Sequence, residues 1–220
     1  MFIGHFAISY ILISNFPSIP PLILLIGVSF PDLLWPFLIL LGLEKASVDP
    51  STPLQKSIQF TKYPFSHSLL LGTAIACIPG FIIGYFIDPL AGILFVMASA
   101  SHWLLDTITH IQDLPILGFT TSDKKVGFGL WKYLKTAFII EFVLYALVTI
   151  LVMKATIIVP LLILGIIFHL INANSFLGIT KTNPFKTSRA YAIITLMGFT
   201  AFSLVANGII IFPHLRFMFF

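Results

Sequence analysis

Across positions 22–43 the chain carries a single formally charged side chain, Asp32. A stretch that long and that apolar is about the twenty residues a helix needs to cross a hydrocarbon layer of about 30 Å. In such a layer every backbone N–H and C=O must find its partner within the segment, which leaves the α-helix as the economical solution. Comparable runs recur at 64–87, 90–111, 136–152, 157–175 and 190–212, with a shorter one at 1–14. Their sum is a chain that is 58% hydrophobic and 9% charged, against about 25% charged residues in a typical soluble domain. The reading is all-α: a polytopic transmembrane bundle of about six to seven helices forming one integral membrane domain over 1–220. Prolines interrupt this plan. Pro31 and Pro36 fall inside the second run, which predicts a break there at membrane depth.

The formal charge of +4 does not mark a nucleic-acid binder. Ten of the twelve basic residues lie in three loops, as Lys45, Lys56 and Lys62, then Lys124, Lys125, Lys132 and Lys135, then Lys181, Lys186 and Arg189. These loops alternate with connections that hold no basic residue or only Lys154, so the asymmetry reads as orientation, with the three basic loops cytoplasmic. Trp131, Tyr133 and the lysines around them read as an anchor at the membrane surface, and His214 as interfacial. Cys77 is the single cysteine and lies in an apolar run, which excludes a disulfide framework and a cysteine-based zinc site. The amino end lacks a basic leader pattern, so the first apolar segment is expected to be retained.

Against this background a few polar side chains stand out. His5, Asp32, His67, His102 and Asp106 lie within or beside apolar runs, where an ionisable group is costly unless paired or hydrated. Imidazole and carboxylate are ligands for zinc and similar divalent ions. His102 and Asp106 are four apart, which puts both on one helix face. His110 continues the stripe but turns away by about 40° at ideal helix geometry, which suits a second ion or a substrate phosphate. Asp113 fits either a partner that orients a ligand histidine or a loop cap. Asp32 alone fits the cap of a broken half-helix. Glu141 and His169, deep in later helices, either face the cavity or pair with polar neighbours. Gly127-Phe128-Gly129 is too short to define a phosphate loop.

The order of these residues resembles that of the bacterial YdjM-like family of membrane-bound metal-dependent hydrolases. The resemblance rests on His5, Pro31-Asp32, His67-Ser68 and Ser101-His102-x-x-x-Asp106, and it covers residues 1–115. The stretch from Asp113-Leu114-Pro115 to Gly127-Phe128-Gly129-Leu130-Trp131 also looks like a subgroup of uncharacterised bacterial proteins with similar amino-terminal motifs. More distantly, the ligand order is similar to that of the zinc-dependent phospholipase C and P1 nuclease enzymes. The resemblance implies a bacterial, multi-pass inner-membrane protein with a metal-site half over 1–115 and supporting helices over 116–220. It implies His5, Asp32, His67, His102, Asp106 and His110 as metal ligands, with Asp32 and Asp106 sharing catalytic work. Leu33-Leu34-Trp35 stands where relatives often carry a further Asp or Arg, and later His and Glu ligands have no clear counterpart. One or two divalent ions, zinc by type, are therefore expected rather than three.

Two functions follow as expectations. One is hydrolysis of a phosphoester, possible lipid substrates included, at the cytoplasmic leaflet, with membrane lipids as the surroundings and no nucleic acid. The other is transport of a metal ion or proton, since intramembrane His and Asp also line such pathways. A non-catalytic membrane scaffold is the plainest alternative.

Overall fold

The apolar runs become helices joined by short hairpins on one side and longer polar connections on the other. The structure, a computed structural model, describes residues 2–120 and 122–216, with side chains through residue 212. His214 and the side chain of Arg216 lie outside the described set. The helices are α1 (Ile3–Asn15), α2 (Pro21–Leu40), α3 (Pro64–His67), α4 (Leu69–Phe86), α5 (Pro89–Thr109), α6 (Leu134–Val152), α7 (Ala155–Ile171), α8 (Ala173–Leu177) and α9 (Ser188–Arg216). Five of them, α2, α4, α5, α6 and α9, are long and apolar enough to cross a membrane, and α1 and α7 are shorter apolar helices. Among the described residues the chain is all-α apart from two small hairpins. In these, β1 (Lys45–Ser47) pairs antiparallel with β2 (Gln59–Lys62), and β3 (Leu114–Pro115) with β4 (Lys125–Val126).

The expected break in the second run does not occur. α2 runs unbroken through Pro31 and Pro36, so Asp32 is not the cap of a half-helix. Each proline costs one backbone hydrogen bond, but both are buried against neighbouring elements that hold the helix in place. The break falls instead in the third run. There Ser68 is extended and caps α4, its Oγ accepting from the Gly72 N–H at 3.0 Å.

Small residues set the helix spacing. A Cβ on Gly92 would sit 2.3 Å from the carbonyl oxygen of Gly80, so α4 and α5 touch backbone to backbone, the close approach that small residues permit in membranes. Asp88 caps α5 by accepting from the Ala91 N–H at 3.0 Å, with Pro89 at its first position, a favoured start. Between α6 and α7, Gly165 makes room for the ring of Tyr145, whose hydroxyl donates to the Leu161 carbonyl at 2.6 Å and meets the Tyr10 hydroxyl at 3.1 Å.

At about 1.5 Å per residue, α1 is about 20 Å long, short of the hydrocarbon thickness. It lies inside the bundle, contacting α2, α5, α6 and α7, while Phe2 and Phe6 pack on Phe199 and Phe202 of α9. A helix apolar on every side is a buried one, and Ile3, Phe6, Ala7 and Tyr10 are fully enclosed. That enclosure carries His5 to the centre of the molecule.

Candidate metal centre

Four segments deliver their polar residues to one place. α1 supplies His5, α2 supplies Asp32, α3 supplies His67, and α5 with its C-terminal cap supplies His102, Asp106 and His110. Asp106 lies at the middle. Its Oδ1 is 3.2 Å from His5 Nε2. Its Oδ2 is 3.2 Å from His102 Nε2, 3.6 Å from His110 Nε2 and 3.8 Å from His67 Nε2. Asp32 completes the set, with Oδ1 3.3 Å from His67 Nε2 and Oδ2 3.5 Å from His102 Nε2. Two overlapping groups, His5–His102–Asp106 and Asp32–His67–His102, each have ligand atoms within 4.8 Å of one another.

His110 does not turn out of reach. α5 ends at Thr109, but the His110 N–H still donates to the Asp106 carbonyl at 2.8 Å, so its ring keeps the i,i+4 position beside Asp106, and its ψ of 148° turns only the following chain away. The loop holds it there: the Gly129 N–H donates to the His110 carbonyl at 2.7 Å, and the Phe128 N–H to the Thr107 carbonyl at 2.7 Å. Gly127, with φ of 151°, lies so close that a Cβ would be 2.0 Å from the Ile111 carbonyl oxygen. The Gly-Phe-Gly segment is thus a latch on the end of α5. Trp131 is no surface anchor. It is buried, with its ring centroid 4.1 Å from that of His110.

The far nitrogen of each ring decides what the near one can do. His102 Nδ1 lies 2.7 Å from the Val28 carbonyl oxygen, which can only accept, so Nδ1 carries the proton and Nε2 presents its lone pair. The acceptor lies on α2 one turn before Asp32. His110 Nδ1 is 3.1 Å from Asp113 Oδ1, with the same outcome. His67 Nδ1 is 2.8 Å from Ser66 Oγ, whose own proton goes to Glu44 Oε2 at 2.6 Å. Ser66 therefore accepts from His67, and His67 Nε2 is also a lone pair. Glu44 is fixed by the N–H groups of Phe65 and Ser66, both donating to Oε1 at 2.7 and 3.0 Å. Burial pushes the Glu44 carboxyl above its ordinary value, against these hydrogen bonds.

Lone pairs on three imidazoles thus face carboxylate oxygens, which are also acceptors. Acceptors at such distances repel unless a proton or a cation lies among them. His5 stacks flat on His102, centroids 3.6 Å apart and planes 9° apart. His102 Nε2 and both nitrogens of His5 are buried without a hydrogen-bond partner among the described residues. Orphaned buried nitrogens of this kind need an explanation. Imidazoles whose outer nitrogens are held by a carbonyl or a carboxylate are the usual setting of a metal ligand. The donor set fits a divalent cation of the zinc type.

A cavity of about 470 Å³ opens onto the centre. Asp32, His67, Asp106 and His110 face it, while His5 and His102 lie behind. The other expected candidates do not reach it. Glu141 is buried and accepts from the N–H groups of Phe2 and Gly4, fastening the start of α1. His169 lies flat against Phe138, centroids 3.7 Å apart. Glu44, the Val28 carbonyl and Trp131 were not marked as site residues by sequence reasoning. Glu44 is a polar residue in a polar loop, and a carbonyl leaves no trace in residue type. No family profile, curated protein or solved structure matches this chain.

Proposed function

We propose that the chain is a membrane-embedded, metal-dependent hydrolase acting on a phosphoester. The observation that carries the reading is the meeting of four imidazole Nε2 atoms with two buried carboxylates at the end of a ligand-sized cavity. His5, Asp32, His67, His102, Asp106 and His110 would hold one or two divalent ions, zinc by donor type. A divalent ion there supplies Lewis-acid polarisation of a phosphoryl oxygen and acidifies water.

The two carboxylates differ in what they are free to do. Asp106 is 2% exposed and shared among four histidines, which makes it a ligand above all. Asp32 is 16% exposed and faces the cavity, so it is the carboxylate placed to take a proton from an attacking water. The water oxygen bonds to phosphorus, the ester P–O bond breaks, and the leaving oxygen takes the proton Asp32 held. His110 closes one side, steadied by Asp113.

The three basic loops all emerge from the end of the bundle that holds these residues, which supports a cytoplasmic-facing site in a multi-pass membrane protein. Transport is less well supported. Beyond His5 the core closes with Tyr10, Leu24, Leu25, Tyr145 and Leu161, all fully buried, a dry barrier to an ion.

The test is metal content and phosphoester turnover of the detergent-purified protein. Zinc bound in stoichiometric amount, with turnover abolished by a chelator and restored by zinc, is the expected result. His102→Ala and Asp106→Asn should each lower turnover by about a hundredfold or more, as first-sphere losses do. A protein that binds no metal, and whose two variants match the wild type, would overturn the proposal.

A further inference from the structure

The cavity has two unlike ends. At one end are Asp32, His67, Asp106 and His110; the rest of the wall combines an apolar stretch along α7 and α9 with polar side chains from the segment between them, Asn172, Asn174, Ser175 and Asn183. Among the wall residues are Phe168 and Ile171 at the end of α7, and Ile194, Met197, Gly198 and Ala201 along α9. Two of these also face outward from the bundle: Ile171 is 65% exposed and Met197 is 60% exposed. They lie on apolar helices, where outward-facing residues meet hydrocarbon rather than water. The cavity therefore runs from the ionisable cluster to the lipid-facing surface between α7 and α9.

We infer that this cavity receives the hydrocarbon chain of a membrane phospholipid through the gap between α7 and α9, with the phosphate head at the histidine–aspartate cluster. The inference rests on the hydrolase reading for what happens to the head, and on the cavity alone for where the chain goes. A small polar ester at the cluster would leave the apolar stretch of wall along α7 and α9 wet. A phospholipid satisfies both ends: its phosphate oxygens meet a cation-binding cluster, and its chain replaces water along Phe168, Ile194 and Phe199. The entry is built to be narrow. Gly198 faces the ring of Phe2, and a Cβ there would meet that ring at 3.4 Å, an ordinary contact. A larger side chain at 198 would extend from that position beside Phe2 into the cavity both residues line.

Photocrosslinking tests this directly. The full-length protein is placed in phosphatidylglycerol vesicles containing phosphatidic acid with a diazirine in one acyl chain, and adducts are mapped by mass spectrometry. Adducts are expected on Phe168, Ile194 or Phe199, which line the cavity, as well as on the outward residues Ile193 and Leu204. Gly198→Phe, and independently Ala201→Phe, should remove the interior adducts and keep the outward ones, whose persistence reports a folded, inserted protein. Interior adducts missing from the wild type, or unchanged in both variants, would overturn the inference. Turnover forms a separate arm. If the hydrolase reading holds, the ratio of long-chain to short-chain phosphoester turnover falls at least about tenfold in Gly198→Phe. If the wild type turns over neither ester while the interior adducts form and are lost as described, lipid binding stands and hydrolysis falls.

Discussion

Glu44 shows how one side chain outside a ligand set can govern it. Its Oε1 is committed to two backbone N–H groups, so in Glu44→Gln the amide oxygen stays there and the NH₂ faces Ser66. Ser66 must then accept from the amide and give its own proton to His67 Nδ1. That forces the His67 proton onto Nε2 and removes its lone pair from the site. The expected outcome is a metal affinity lower by about 10–100-fold, with thermal stability little changed, measured by competition with a zinc chelator. Protonating Glu44 makes the same switch. Because burial raises its pKa, metal should begin to dissociate at a pH above the ordinary glutamate range. The stability effect has the opposite sign: folding favours the protonated acid, so Glu44's own contribution is present at low pH and is lost as pH rises through its folded value. A chelator-competition series against pH, run on wild type and Glu44→Gln, separates the two. Little of this was legible in the sequence. His102-x-x-x-Asp106 announces itself through helical spacing, whereas Glu44 lies twenty-two residues before Ser66 and joins it only in the fold.

At the scale of elements, α1 and its fastening matter most. Glu141→Leu removes the acceptor of two N–H groups, the part-buried one of Phe2 and the buried one of Gly4. At about 1–3 kcal/mol for each orphaned donor, thermal unfolding in detergent should fall by several degrees. Loss of His5 from the site should also lower metal occupancy, whereas Glu141→Gln, which keeps an acceptor, should retain most of both. Gly92→Ala should be worse tolerated than most helix substitutions to alanine, since its Cβ meets the Gly80 backbone at 2.3 Å. Separation of α4 from α5 is the expected consequence, read as a lower unfolding temperature. The apolar runs made the helices readable because length and hydropathy suffice for that. The fate of Pro31 was not readable, since a proline breaks a helix or bends within it according to what packs around it. The Gly127–Gly129 latch on the end of α5 likewise leaves no trace in periodicity.

For the whole molecule, the basic loops give an orientation that can be checked without any assay of function. In a Cys77→Ser background, Ser51→Cys should react with an impermeant maleimide only when the cytoplasmic face is accessible, and Lys154→Cys only from the opposite face. The reverse pattern would move the site to the other leaflet. Charge asymmetry is the sequence feature that motivates this orientation, and the concentration of candidate ligands in the first half of the chain is equally visible in the sequence. The role of the second half was hidden, because cavity walls of Phe, Ile and Met look the same in sequence as lipid-facing surface.

The fastening of α1 by Glu141 also has a meaning in time. His5 is the first of the site histidines to be synthesised, and Asp32, His67, His102, Asp106 and His110 follow it in order along the chain. Yet the acceptor that pins the start of α1 lies on α6, and is made only after all of them. During synthesis, which proceeds from the amino end, the other five candidate ligands are all made before Glu141. The earliest of the six to leave the ribosome thus gains its full fastening only after the rest exist.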